Sequence, residues 1–179
     1  MKKRFLTIVA ALTIASCSLA GCGSEDNKST TTAPSNNSSV SHEAKGYIFE
    51  VNGVKVGMDM EADPIIKALG EPTNYFEAAS CAFEGLDKMY GYGSYEVDTY
   101  ELDKKDYISG VIFKDDMVST KEGISIGNTK DDMIKAYGEG FKEEQGMLVY
   151  EKEGTKIKFV LDENNEITSI TYSSTILDK

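Results

Sequence analysis

The chain has 179 residues, 19 basic against 30 acidic, and a formal net charge of −11. Its only arginine is Arg4, so the remainder offers no Arg-bearing basic groove of the kind nucleic acids and polyphosphates require. Its only histidine, His42, lies ahead of the region patterned to fold, which excludes a Ser-His-Asp or Cys-His arrangement and a His/Cys zinc site there.

Residues 1–21 open with Lys2, Lys3 and Arg4, continue as an apolar run from Phe5 to Ala15, and end in small residues. That is the layout of a secretory signal peptide. The run falls short of the roughly 20 apolar residues that span a bilayer. Leu19-Ala20-Gly21-Cys22 resembles a lipobox, with cleavage between Gly21 and Cys22 and acylation of the Cys22 sulfur. An ordinary cleavage site leaves Cys22 unexplained. The expected product is a lipoprotein held at the extracytoplasmic face of a bacterial cell membrane, in a Gram-positive setting. Buried lipid contributes roughly 0.8 kcal/mol per methylene, so two or three chains anchor where one does not. Cleavage removes three basic residues and no acidic one. The 16 basic and 30 acidic residues that remain give −14. Anionic lipid repels such a domain, so the lipid and not charge is expected to hold it near the membrane.

Residues 22–46 carry Cys22 and then a linker of Ser, Thr, Asn and Gly without apolar period. Such a stretch buries too little to order itself. Its expected reach is roughly 25–30 Å. From Tyr47 the pattern changes. Tyr47–Val51, Asn52-Gly53 and Val54–Met58 read as a hairpin, because Asn-Gly supplies the positive φ angles of a type I′ turn.

The rest reads as two tandem repeats, residues 47–116 and 117–179. Ile66-Lys67-Ala68-Leu69-Gly70-Glu71 returns as Ile134-Lys135-Ala136-Tyr137-Gly138-Glu139. Val54-Lys55-Val56-Gly57 returns as Ile124-Ser125-Ile126-Gly127, and Leu102-Asp103 with Tyr107–Phe113 as Leu161-Asp162 with Glu166–Tyr172. The offset shrinks along the chain, so the first copy carries extra residues. Thr129 and Asp132 form a capping-box pattern ahead of a helix, Asp63-Pro64 suits a first helical turn, and Gly70 and Gly138 suit helix ends. Alternating strands follow each helix. The expected class is α+β, each repeat a short helix packed on an antiparallel β-sheet, with the other sheet face exposed.

These blocks resemble the tandem module of β-lactamase inhibitory protein and of small outer-membrane assembly lipoproteins, and also uncharacterised lipoproteins of Gram-positive bacteria. The resemblance spans residues 47–173. It implies a docking surface on the open sheet face and its loops. The inhibitory proteins carry two cysteine pairs and a Trp- and Tyr-rich face. This chain has Cys81 alone in the domain and no tryptophan, so no inhibitory residue carries over.

Six of the ten tyrosines fall between residues 75 and 107. Tyrosine suits a rigid amphipathic contact and also packs half-buried strands. Tyr90, Tyr92, Tyr95 and Tyr100 are the expected partner-binding set, with half of the cluster core and half surface. Gly91-Tyr92-Gly93 suggests a bulge or loop that exposes Tyr92. Cys81 is expected to be a buried, inert thiol; an exposed reactive thiol or an intermolecular disulfide is the other reading. Asp59-x-Glu61-x-Asp63, Asp115-Asp116 and Asp131-Asp132 lack calcium-loop spacing and read as turns and helix starts. No catalytic residue, metal or cofactor is expected. The function expected from these features is a non-enzymatic protein-binding module of the cell envelope, with an unknown envelope or secreted protein as partner. The alternatives are an inhibitor of a secreted hydrolase such as a β-lactamase, and a cell-wall hydrolase with two carboxylates about 5–10 Å apart in a cleft.

Overall fold

A computed structural model describes residues 44–178. The signal segment, Gly21, Cys22 and most of the linker lie outside the described residues. At the linker's end, the packed chain reaches back past the expected boundary. Gly46 N–H donates to Glu153 at 3.0 Å, and Tyr47 N–H donates to Thr155 Oγ1 at 2.7 Å.

The chain begins with β1 (Ile48–Val51) and β2 (Val54–Gly57), which pair antiparallel as a two-stranded sheet. Asn52 and Gly53 take φ of 51° and 79°, the type I′ geometry expected of Asn-Gly. Helix α1 (Ala62–Leu69) follows, then β3 (Asn74–Ala79), β4 (Leu86–Gly91), β5 (Tyr95–Leu102) and β6 (Lys105–Phe113). Helix α2 (Lys130–Tyr137) precedes β7 (Lys142–Glu144), β8 (Met147–Lys152), β9 (Thr155–Leu161) and β10 (Ile167–Ser174). A 3₁₀ turn, Thr175–Leu177, ends the described chain. The eight later strands form one sheet in the order β3-β4-β5-β6-β10-β9-β8-β7, antiparallel throughout. The architecture is thus α+β, with mostly antiparallel strands and two helices.

Strand alternation decides which face is covered. Val97, Val111, Ile157, Phe159, Ile170 and Tyr172 point to one side and are fully or almost fully buried. The β1–β2 hairpin and both helices cap that side. Phe49 and Val56 from the hairpin, Ile65 from α1 and Met133 from α2 join the same apolar cluster. The Phe49 ring lies 5.1 Å from Tyr95 and 5.2 Å from Phe113, both edge to face. The predicted capping box is present at α2. Thr129 Oγ1 accepts from the Asp132 N–H at 3.2 Å, and Asp132 Oδ2 accepts from the Thr129 N–H at 3.1 Å. Gly138 ends α2 with φ of 84°, and Gly70 ends α1 with φ of 88°. An added Cβ there would be strained.

The second sheet face is only partly open. Asp98, Gly110, Ser173 and Lys156 lie in register across β5, β6, β10 and β9. Lys156 is nevertheless 8% exposed and Val149 1% exposed. The chain end explains part of this. Lys156 Nζ bonds Asp178 at 3.0 Å and Glu144 at 3.3 Å, which draws residues after β10 over the face. The broad bare face expected from the sequence is therefore reduced by the protein's own C-terminal turn.

Between α1 and β4 the chain is long. It builds the six-residue β3 and the loop 80–85. The opposite end of the sheet has a three-residue β7 and a two-residue turn, Gln145-Gly146.

Candidate functional site

Strand β3 pairs with β4 on one side and, among the described residues, ends the sheet on the other. All six of its residues are exposed, with Tyr75 at 49% and Phe76 at 57%. Alternation sends these two rings to opposite faces of the edge. Tyr75 faces its cross-strand partner Tyr90, ring centroids 5.1 Å apart, and its hydroxyl donates to Glu77. Phe76 sits opposite Met89. Helix α1 packs mainly against β2 and β6, and every residue of β3 stays exposed.

The four tyrosines expected to bind a partner separate into two kinds. Tyr95 is 7% exposed and Tyr100 is 3% exposed, so neither can present a face to a partner. Tyr95 points into the core beside Phe49 and stacks on Tyr92 at 5.2 Å. Tyr100 stacks on Phe83 at 4.7 Å and on Tyr107 at 5.7 Å. Its hydroxyl donates to Asp59 Oδ1 at 3.1 Å, and Ser174 donates to Asp59 Oδ2 at 2.9 Å. Asp59, at φ of 61°, thus ties β5 to the end of β10. Tyr92 lies in the loop between β4 and β5, as its flanking glycines suggest, but it is half-buried rather than displayed, and its hydroxyl is buried without a partner. Burial pushes its phenol up to about 12. Tyr90 is half-buried beside Tyr75 and stays with the edge. Tyr75 and Phe76, outside the expected set, are the exposed rings. The missed signal is position: only the strand order shows that β3 is an edge.

Cys81 corrects another expectation. It sits in the loop after β3, is exposed, and forms no disulfide among the described residues. The loop turns the Phe83 ring onto Tyr100 and leaves the Cys81 thiol outside.

Beside this loop, β4, β5 and β6 and the C-terminal turn enclose a cavity of about 230 Å³. Its walls include Ala82, Asp87, Met89, Asp98, Ser109 and Leu177. Asp98 Oδ1 is inaccessible and unpaired. Burial lifts the Asp98 carboxyl from its ordinary 3.8 to about 6, with Glu96 and Asp87 adding to the rise and Lys114 opposing it. A second cleft, about 440 Å³, lies along α2, but Asp132 and Glu122 there already accept from Thr129 and Tyr137. Among the described residues no His, Cys, Asp and Glu group of three or more could hold a metal ion, and no helix is long and apolar enough to cross a membrane.

No family model matches the chain, and no curated protein matches it, so neither comparison supports the resemblance to β-lactamase inhibitory protein. The chain is similar to a solved structure of a DUF4309 family protein (YjgB) from Bacillus subtilis. Identity is 13%, coverage is 69% of this chain and 84% of that one, and the TM-score is 0.41.

Proposed function

We propose that the chain is a membrane-anchored extracytoplasmic lipoprotein whose domain is a non-enzymatic protein-binding module, docking its partner on the β3 edge. The observation that carries this reading is the edge itself: six exposed residues with an unpaired outer side and two large rings. An open edge is a template for an added strand, which gains main-chain hydrogen bonds, while the side chains set the choice of partner. Tyr75, Phe76 and Tyr90 are the residues assigned to that choice. Aromatic anchors of this kind carry much of the energy of protein interfaces.

The anchor rests on residues 1–22. Cys22 receives the lipid, and the linker sets how far the edge stands from the membrane. The reading of residues 47–116 and 117–179 as tandem repeats is part of the same proposal. It is supported by the order of elements, a helix and then four antiparallel strands, met twice in the chain.

The experiment is photo-crosslinking of the full-length chain in its native envelope, with the crosslinker at residue 78 on β3 and, in a control, at residue 143 on β7. A discrete adduct from β3 alone, lost in Tyr75→Ala/Phe76→Ala, supports edge docking. Equal adducts from both edges, or none, overturn it. Membrane fractionation of Cys22→Ser tests the anchor, with release into the medium as the expected result.

A further inference from the structure

The Asp98 cavity holds a carboxylate that the protein itself does not satisfy. Asp98 Oδ1 is buried without a hydrogen-bond partner. Directly across the ladder stands Gly110, which has no side chain to offer. One strand further, Ser173 Oγ is also buried and unpaired. The register is irregular here. Asp98 pairs with Gly110 and Thr99 with Ile108, so Ser109 is the extra residue of a β-bulge. Bulges re-aim side chains, and Ser109 lines the cavity.

Asp98 is half-buried, and a carboxylate oxygen such as Oδ1 that has lost water and gained no partner is costly. Such groups call for a specific explanation. Oδ1 is closed off from solvent, so a cavity ligand meets Asp98 at its other carboxylate oxygen, and the charged surroundings say which kind of ligand that is. Glu96 on β5 and Asp87 on β4 add negative potential at Asp98. The opposing cation, Lys114, is 3.2 Å from Glu96 and held there. Lys88, a cation that itself lines the cavity, is neutralised by its pairing with Asp106. The site therefore favours a positive group. Its lining is wrong for a bare metal ion and right for an organic one, because Ala82, Met89 and Leu177 supply apolar walls. At about 230 Å³ the cavity is smaller than the roughly 300–1,000 Å³ of sites for drug-sized ligands.

We infer that this cavity binds a small organic ammonium, its charged head on Asp98 and its apolar body between Met89 and Leu177. The proposal is independent of edge docking, which uses other residues.

The test is an amide-shift titration of the full-length chain with benzylamine, benzyl alcohol and methylammonium at pH 7.5. Benzylamine is expected to shift the signals of Met89, Asp98, Ser109 and Leu177 saturably, and at least tenfold more tightly than benzyl alcohol. Asp98→Asn abolishes that preference, and Leu177→Ala weakens benzylamine but not methylammonium. Affinity for benzylamine falls about tenfold between pH 7.5 and pH 5 as Asp98 takes up its proton. Asp98→Asn removes a buried unpaired charge, so its folding is not in jeopardy. Equal binding of amine and alcohol, unchanged amine binding in Asp98→Asn, or no saturable shift with either amine overturns the proposal.

Discussion

The two halves of the eight-stranded sheet treat charge and exposure differently. In the β7–β10 half the outer strand is three residues long, Lys142-Glu143-Glu144, and two of its three charges are paired. Lys142 lies 3.8 Å from Glu151, and the nearly buried Lys156 is held by both Glu144 and Asp178. A short charged edge resists pairing with a foreign strand. In the β3–β6 half the outer strand is six residues, Asn-Tyr-Phe-Glu-Ala-Ala, and Glu77 is its single charge. That half also leaves Asp98 unpaired beside a cavity. One half pairs its edge charges, and the other keeps an open edge and an unpaired carboxylate oxygen, the features on which the two proposals rest. Stability alone does not select the second set.

The largest expected effect breaks the contrast at the open edge. Phe76→Lys places a charge in the middle of β3, as β7 already has. Partner capture is expected to fall roughly 100-fold, the loss of one aromatic anchor of about 2–3 kcal/mol. The melting temperature should barely move, because Phe76 is 57% exposed. Photo-crosslinking yield beside a thermal melt checks both halves of that statement. A large drop in melting temperature with unchanged yield would contradict it. The reverse change sharpens the contrast: Lys142→Thr/Glu143→Val strips the guard from β7, and light scattering should then show more self-association than the wild-type chain does.

Next in size is the unpaired carboxylate. In the folded chain Asp98 titrates near 6 against an ordinary 3.8, so the folded state binds more protons between those values. Stability from this group is full below about pH 4, declines as pH rises, and is fully lost above about pH 6. The implied cost at pH 7 is about 2–3 kcal/mol. Asp98→Asn should recover most of it at pH 7 and nothing at pH 3.5. Urea midpoints at the two pH values read this directly. The paired half should respond with the opposite sign. Lys156→Met strands Glu144 and Asp178 and is expected to cost about 1–2 kcal/mol at pH 7, less than a fully buried pair because both acids stay partly exposed.

The features readable in the sequence were local ones. Asn52-Gly53 demands positive φ, Thr129 with Asp132 closes a capping box, and Gly70 and Gly138 end helices. Ile157 and Phe159 alternate with Lys156 and Lys158 and fall on the faces that alternation assigns. The features that were not readable depend on which strands are neighbours. Nothing in Asn74–Ala79 says that this strand ends the sheet, and that alone exposes Tyr75 and Phe76. Tyr100 looks like Tyr90 in sequence, yet Asp59, 41 residues away, fixes its hydroxyl in the interior. Asp98 stands out among 30 acids only once Gly110 is found opposite it. The turn at Asp103-Lys104 has φ of 52° and 63° without a glycine, so turn chemistry also hid one hairpin.

The smallest expected effect separates the two kinds of tyrosine by one oxygen atom. Tyr75→Phe removes a hydroxyl that donates to Glu77 at the exposed edge. Water replaces that partner at once, so stability should stay within about 0.5 kcal/mol. Tyr100→Phe removes a donor from Asp59 at a ring that is 3% exposed. Asp59 keeps Ser174, so the loss is partial, about 1 kcal/mol. Asp59 bridges β5 and the end of β10, so the cost should also appear as faster amide exchange around Ser174. The Tyr75 variant should show no such change anywhere. Equal destabilisation by the two variants would mean that the edge is as constrained as the core, and the distinction between a closed half and an open one would fail where it is easiest to measure.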